Sequence, residues 1–158
     1  MLEILSLNAA DESSPVSETA RVGRLGEELA GRFLIKNGCR LVAANFKVPI
    51  GRNSRGASVT GEIDIIALDA DDVLCFVEVK TRTSDAFAAP VAAVDLRKQR
   101  QITRTARMYR KIFNLQHVNY RYDVISIVLG KVGKPKIELF VNFWNEAKFR
   151  KKTWADEL

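Results

Sequence analysis

The sequence predicts an α/β domain in which helices pack on a mixed β-sheet. Two stretches repeat apolar residues at the spacing of a helix face, and five shorter stretches are rich in the β-branched and aromatic residues typical of strands. We find no internal repeat, and 158 residues is the length of one ordinary domain. These observations give the element order α-β-β-β-α-β-β.

The first helix is predicted at residues 19–37. Apolar residues recur from Val22 through Leu25 and Leu29 at helical spacing, and Gly38 supplies a C-terminal stop. The small, polar and acidic residues that precede this helix predict a flexible leader over 1–18.

Three strands are expected to follow, at 40–46, 62–68 and 73–81. The segment 47–60 contains proline, two glycines and three basic residues, which predicts a long exposed loop. The second and third strands flank the turn-like sequence DADD and therefore predict a β-hairpin.

A second, longer helix is predicted at 92–114, after a connection at 82–91. Its apolar face carries Ile102, Ala106, Tyr109 and Phe113. The remaining predicted segments are strands at 120–129 and 136–143, the end of the domain at 145 and a charged tail at 146–158.

The composition favours a polyanionic partner and excludes several metal chemistries. Lys and Arg number 25 against 19 Asp and Glu, a formal charge of +6, and nucleic acid is the first partner that such a surplus suggests. The single histidine, His117, cannot form sites built on paired imidazoles, and Cys39 and Cys75 are too far apart for a Cys/His zinc module. No signal peptide and no apolar run of membrane-spanning length is found, so we expect a cytoplasmic protein without membrane association.

The chemistry is predicted where charged residues interrupt two apolar strands. Glu62 and Asp64 should share a face of one strand, and Glu78, Lys80 and Arg82 should share a face of the next, since strand side chains alternate. If the strands pair antiparallel, Asp64 lies beside Glu78 and Lys80. Two carboxylates and an ammonium would then meet at one edge of a hydrophobic sheet.

Such a cluster needs partners or a metal, because charges removed from water are otherwise unfavourable. Carboxylates with water and substrate phosphate suit Mg²⁺, which can activate a water toward a phosphodiester. Lys80 would orient that water or neutralise charge on the phosphate. The alternative is a solvated Glu–Lys pair at the end of a hairpin, with no chemical role.

Several motifs in order resemble a known family. The spacing of Asp64 and the Glu78-Val79-Lys80 run resembles the PD-(D/E)xK nuclease superfamily. Over roughly residues 20–145 the sequence resembles more closely the YraN family, a bacterial group related to archaeal Holliday-junction resolvases. The resemblance implies a restriction-endonuclease-like core and a nuclease that depends on Mg²⁺ or Mn²⁺. The motifs that carry it are GRLGEELA, NGCRLVAANF, GEIDIIA, FVEVKTR and RYDVI.

The resemblance also implies roles for individual residues. Asp64 and Glu78 would be metal ligands, with the carbonyl of Val79 completing the set, and Lys80 would be the catalytic lysine. Glu27 would match a helix glutamate of the resolvase-like branch. Two departures are Ile63, which stands where proline is frequent, and the basic segment 47–60, which is expanded.

The position of Glu27 on its helix allows this role. At about 100° per residue Glu27 lies at the border of the apolar face, beside Ala30 and Leu34, and can point toward the sheet. Glu28 lies on the far side, where we expect it to be solvated. The alternative is an ordinary carboxylate favoured by the helix dipole near the N-terminus.

The second helix carries a stripe of cations at 3-4-3-4 spacing. Such a line of cations can bind the phosphates of a nucleic-acid backbone without sequence specificity. The alternative is a solvent-exposed helix face whose charges only aid solubility. Lys98 lies instead on the apolar side, where it could reach the active-site edge or simply extend past the core to solvent. Arg52, Arg55 and Arg82 could border a DNA groove. The stripe consists of Arg97, Arg100, Arg104, Arg107 and Lys111.

The leading hypothesis is a Mg²⁺-dependent endonuclease acting on DNA, with structured or branched DNA as the expected substrate. The alternatives are a non-catalytic nucleic-acid-binding or adaptor module that retains the fold, and a protein-interaction subunit of a larger assembly. A symmetric dimer would suit two-strand cleavage, which needs two sites. His117 is expected to have no catalytic role, and Asp123 is expected to form a buried salt bridge with Arg121.

Overall fold

The computed structural model describes residues 15–84 and 94–150, and its elements follow the predicted order. Most of the predicted leader, most of the predicted connection at 82–91, the first residues of the predicted second helix and residues 151–158 of the predicted tail lie outside the described residues. The elements are α1 (Glu18–Lys36), β1 (Arg40–Arg52), β2 (Ser58–Leu68), β3 (Leu74–Arg82), α2 (Leu96–Ile112), β4 (Tyr120–Val128), β5 (Lys136–Trp144) and a 3-10 helix (Glu146–Phe149).

The five strands form one mixed sheet in the order β1-β2-β3-β4-β5. All neighbours are antiparallel except β3 and β4, which are parallel and are separated in sequence by α2. One core cluster joins α2 to one face through Ile102, Phe76 and Tyr122, and a second joins α1 to the other face through Leu34 and Ile125. The expected α/β architecture, a mixed sheet flanked by helices, is therefore confirmed.

Helix α1 packs on the sheet through small residues. Its buried residues include Gly26 and Ala30, whereas Leu25, which the sequence places on the apolar face, is 45% exposed. A Cβ on Gly26 would lie 1.7 Å from Thr81 Oγ1, so glycine allows the helix to approach β3 closely. Ser17 begins the helix, because its hydroxyl accepts from the N–H of Ala20.

Helix α2 is shorter than the sequence predicts. Asp95 is its N-cap, with the carboxylate accepting from Lys98 N–H at 2.9 Å, and the helix ends at Ile112. Phe113, predicted on the apolar face, lies past this end and is 54% exposed. Polar residues such as Thr103 and Thr105 are buried instead.

The predicted loop at 47–60 is wrong, because this segment extends β1 and β2 into a long hairpin. Residues 58–64 of β2 pair only with β1, since the β2–β3 ladder covers residues 65–68 of β2. We call residues 47–62 the ribbon. Val48, Ile50 and Val59 are half-buried on its inner side, and Pro49 is tolerated because β1 is an edge strand.

The described chain continues past the predicted end of the domain at 145. Residues 146–149 form the 3-10 helix, and Glu146 binds Arg107 and Arg110 of α2. Among the described residues, neither helix has both the length and the apolar character needed to cross a membrane.

Candidate active site

Strands β2 and β3 separate at the two acidic residues. Their ladder ends at the pair Ile65–Val77, and beyond it the N–H of Val79 donates to Asp64 Oδ2 at 2.8 Å. A side-chain carboxylate thus takes the place of a backbone acceptor of the neighbouring strand. Because the carboxylate replaces a backbone acceptor, β2 and β3 separate here and Asp64 is held against β3.

The alternation of β2 breaks at the same residue. Ile63 and Ile66 both belong to the core on the α2 side, whereas Ile65 belongs to the core on the α1 side. The expected strict alternation from Glu62 to Leu68 is therefore wrong. Asp64 lines the groove on the α1 side and also interacts with the Lys98 charge of α2.

Glu78 lies between two ammonium groups and is almost fully buried. Its Oε1 is 3.3 Å from Lys80 Nζ and 3.6 Å from Lys98 Nζ, and the residue is 3% exposed. Its Oε2 is buried and has no hydrogen-bond partner within residues 15–84 and 94–150. An unsatisfied buried carboxylate oxygen is unfavourable in the free protein and could accept a bound ligand.

Asp64 holds its proton more tightly than an ordinary aspartate. Burial raises its pKa to about 7, and the negative charge of Glu78 and a hydrogen bond with the Glu78 side chain add to the rise, while the Val79 N–H and the Lys98 ammonium act in the opposite direction. Two carboxyl groups placed together in a low-dielectric site cannot both ionise readily. A cation bound between them would remove this repulsion.

Glu27 of α1 faces the same site from the opposite side. A groove of about 440 Å³ between α1 and β1 is lined by Glu27, Asp64, Asn45 and Arg24 among others. Burial raises the pKa of Glu27, the nearby Asp64 charge adds to the rise, and a hydrogen bond with the Asn45 side chain opposes both. Glu28 is exposed, as the sequence predicts, and pairs with Arg32 at 2.6 Å.

The donors at the site fit a hard divalent cation. The described residues contain no group of three or more His, Cys, Asp or Glu that could hold a metal by themselves. Mg²⁺ does not require one, because one or two carboxylates with water and phosphate complete its shell. Asp64 and Glu78 supply two carboxylates, and the Val79 carbonyl lies on the same strand edge as its N–H, toward Asp64.

Three predicted DNA-binding arginines line one cleft beside the ribbon. Arg97, Arg100 and Arg104 surround a cleft of about 190 Å³ whose other walls include Ile50 and Val59. The Arg104 guanidinium also donates to the Ile50 carbonyl and joins α2 to the ribbon. Within the described chain, this is where the predicted cation stripe meets the extended hairpin.

The other predicted basic residues are placed differently. Arg107 is paired with Glu146, which also binds Arg110 and the Tyr122 hydroxyl, so this member of the predicted stripe takes part in packing between α2 and the 3-10 helix. Arg82 lines a separate groove with the start of α1. Lys111 lies in the last turn of α2.

Sequence reasoning missed Asn45 at this site. The register pairs Ala44 with Ile65 and Phe46 with Ile63, which leaves Asn45 opposite Asp64. Its φ of +51° is one that asparagine tolerates better than most residues. The only sequence signal was an asparagine inside a strand-like apolar segment.

Two further expectations concern residues outside the site. Asp123 is 1% exposed and pairs with Arg121 at 3.0 Å, which confirms the buried salt bridge. Cys75 is fully buried in the core, and burial raises the pKa of its thiol to about 12. His117 is exposed, between α2 and β4.

Comparisons with known proteins give one consistent match. The model of the "Uncharacterised protein family UPF0102" matches residues 26–127. A UPF0102 protein of Trichlorobacter lovleyi is 40% identical over 126 residues, covering 80% of this chain and 91% of the relative. One of Caldanaerobacter subterraneus subsp. tengcongensis is 40% identical over 123 residues (77% and 92%), and one of Dictyoglomus thermophilum is 39% identical over 113 residues (72% and 86%). These matches confirm the resemblance to the YraN family (UPF0102).

Proposed function

Because the chain belongs to the uncharacterised protein family UPF0102, whose name assigns no activity, we propose its function from the geometry of the site. We propose a divalent-metal-dependent endonuclease with a restriction-endonuclease-like core, which hydrolyses phosphodiester bonds in DNA. Structured or branched DNA is the expected substrate. The observation that carries the proposal is the buried, unpartnered Glu78 Oε2 facing Asp64 where β2 and β3 separate.

The proposed metal ligands are Asp64, Glu78 and the carbonyl of Val79. The chemistry that Mg²⁺ or Mn²⁺ supplies at such a set is Lewis-acid polarisation of a phosphodiester oxygen. The Val79 N–H holds Asp64 in place at 2.8 Å, so the carboxylate needs little reorganisation to act as a ligand. Preorganised groups of this kind favour a charged transition state.

Lys80 is the proposed catalytic lysine. Its side chain is 27% exposed, and its Nζ lies 3.3 Å from Glu78 Oε1. The ammonium can therefore donate to an attacking water or to a phosphate oxygen while it stays anchored to Glu78. Glu27, across the groove, would hold a proton or orient a water, and burial raises its pKa.

DNA would bind along the basic surface next to this site. The chain carries a formal charge of +6, and the cleft of Arg97, Arg100 and Arg104 offers guanidinium groups to successive phosphates. Such contacts give affinity without sequence specificity. Lys98, held 3.6 Å from Glu78, would connect this surface to the reacting centre.

The test is cleavage of four-way-junction, flap, duplex and single-stranded DNA with Mg²⁺ or Mn²⁺. We expect Asp64→Asn and Glu78→Gln each to lower the rate at least about a hundredfold, because each removes a proposed metal ligand. Chelation of the metal should abolish cleavage by the unaltered chain. Calorimetric titration with Mn²⁺ checks cation binding in the same variants.

Glu62→Gln is the matched control, since it removes a carboxylate two residues from Asp64 that pairs only loosely with Lys47 at 3.9 Å. It should keep nearly full activity. Cleavage that survives Asp64→Asn would contradict the proposal. Tight DNA binding with neither cleavage nor cation binding would favour the non-catalytic module.

A further inference from the structure

We infer that the ribbon is an arm that enters the major groove of double-helical B-form DNA, so that the substrate must contain a DNA duplex beside the cleaved bond. This inference rests on the proposed function for the identity of the polymer. It goes further by naming a surface, the ribbon tip, and the nucleic-acid form that the tip fits.

The ribbon is a two-stranded hairpin whose turn is closed by hydrogen bonds. Asn53 Oδ1 accepts from the N–H groups of Arg55 and Ala57 at 3.0 Å each. Arg52 Nη1 donates to the Gly56 carbonyl at 2.7 Å across the turn. These bonds close the turn from within, so its direction is set before any ligand binds.

Helix α2 fixes the direction of the ribbon. A Cβ on Gly61 would lie 1.9 Å from Thr105 Oγ1, so the ribbon backbone lies directly on the helix. Gln101 Nε2 donates to the Thr60 carbonyl at 3.4 Å, and the Arg104 guanidinium donates to the Ile50 carbonyl. The ribbon and the N-terminal half of α2 therefore form one supported surface.

The charge of this surface matches a polyanion with two backbones. The ribbon contains three cations, Lys47, Arg52 and Arg55, and one acid, Glu62, and its tip residues 52–58 are all exposed. Arg97, Arg100 and Arg104 continue the positive surface along α2 toward the site. With Arg52 and Arg55 at the tip and the α2 arginines beside Ile50 and Val59, this surface can contact phosphates on both sides of a groove.

The shape of the ribbon selects among nucleic acids. The major groove of B-form DNA, about 12 Å wide, admits a two-stranded β-ribbon. The major groove of A-form RNA is deep and too narrow for such an element, and a single strand has no groove. The part of the ribbon that would enter the groove is the exposed tip, residues 52–58, because Ile50, Thr60 and Gly61 lie against α2.

The experiment measures binding without cleavage, in the Asp64→Asn background with chelator present. Arg52→Gln with Arg55→Gln removes both tip arginines, and Arg55→Gln alone leaves the Arg52–Gly56 bond that closes the turn in place. The matched control, Lys36→Gln with Arg40→Gln, removes one cation at the end of α1 and one at the start of β1, where Arg40 pairs with exposed Asp72. Affinity is measured for a 24-base-pair DNA duplex, the same sequence as single strand, and the corresponding RNA duplex, over a range of salt concentrations.

We expect the tip variant to bind duplex DNA about tenfold more weakly, with a salt slope lower by about 2 because two phosphate contacts are lost. Single-stranded DNA binding should change less than about twofold, and the control should behave like the parent. Equal losses on single and double strands, an unchanged duplex affinity, or RNA duplex bound as tightly as DNA would overturn the inference. Because this experiment measures binding and not cleavage, it tests the inference even if the nuclease proposal fails.

Discussion

Two acidic clusters are buried in the same sheet, and they differ in how completely their oxygens are satisfied. In the first cluster Asp123 accepts from Arg121 Nε with both oxygens, at 3.0 and 3.1 Å, and from the Asn142 N–H at 2.8 Å. In the second cluster Glu78 Oε2 has no partner in the described chain. Asp123 is 1% and Glu78 3% exposed, so burial does not explain the difference.

The pKa shifts of their neighbouring aspartates go in opposite directions. Burial acts to raise the pKa of Asp69, yet hydrogen bonds from the Val73 N–H, Arg121 and the Asp71 N–H lower it below its ordinary value. Burial and the Glu78 charge raise the pKa of Asp64 to about 7. A buried ion pair with a structural role has its hydrogen bonds completed. A buried acceptor without a partner, beside an aspartate whose pKa is raised, is more typical of a binding site.

The largest expected effect is on the structural cluster. Asp123→Ala removes the acceptor of both Arg121 and the Asn142 N–H, and it should lower the free energy of unfolding by about 3 kcal/mol, since breaking a buried ion pair leaves a charge uncompensated. Urea unfolding measures this. Glu78→Gln is the matched control at the site and should change stability by less than about 1 kcal/mol. A loss at Glu78→Gln as large as at Asp123→Ala would make both clusters structural.

The sequence predicted the parts of the site that depend on local pattern. The charges of Asp64 and of Glu78-Val79-Lys80 interrupt apolar strands, and a short turn between them requires antiparallel pairing, so their meeting follows from strand geometry. The position of Glu27 followed from helical spacing in the same way. These inferences needed only the residue spacing within each element and the length of the turn between neighbouring strands.

What the sequence could not predict depends on distant contacts. The ribbon has the composition of a loop, and its strand character comes from packing Ile50 and Val59 against α2, about fifty residues away. In the sequence Arg107 has the same spacing as the other cations of the stripe, and its ion pair with the distant Glu146 is visible only in the structure. The broken alternation at Asp64 likewise depends on which neighbour supplies each backbone partner.

The second prediction concerns the pH dependence of stability that follows from the raised pKa of Asp64. Its folded pKa, about 7, lies above its ordinary value of 3.8, so the folded state holds the proton more tightly and stability falls as pH rises from about 4 to about 7. Asp64→Asn keeps an acceptor for the Val79 N–H but has no charge. Relative to the unaltered chain, it should therefore gain on the order of 2 kcal/mol at pH 8 and little at pH 4.

Urea unfolding at both pH values, without divalent cations, checks this prediction. Glu62→Gln serves as the control, because its carboxylate is partly exposed and should give no comparable pH-dependent gain. A gain of equal size at both pH values would show that the effect is not ionisation. A loss at pH 8 would show that the Asp64 charge stabilises the fold, as the charge of Asp123 does.

The smallest effect is expected at Lys98, and it tests whether Glu78 depends on its cation as Asp123 depends on Arg121. The Lys98 side chain is 32% exposed and its Nζ is 3.6 Å from Glu78 Oε1, so water can replace it, and Lys80 remains. Lys98→Gln should change the free energy of unfolding by less than about 0.5 kcal/mol. Arg121→Gln, measured alongside, should lose about 2 kcal/mol or more because its partner is buried. Similar losses in both variants would mean that Lys98 and Glu78 form a structural ion pair. The unpartnered Glu78 Oε2 would then no longer distinguish this cluster from that of Asp123.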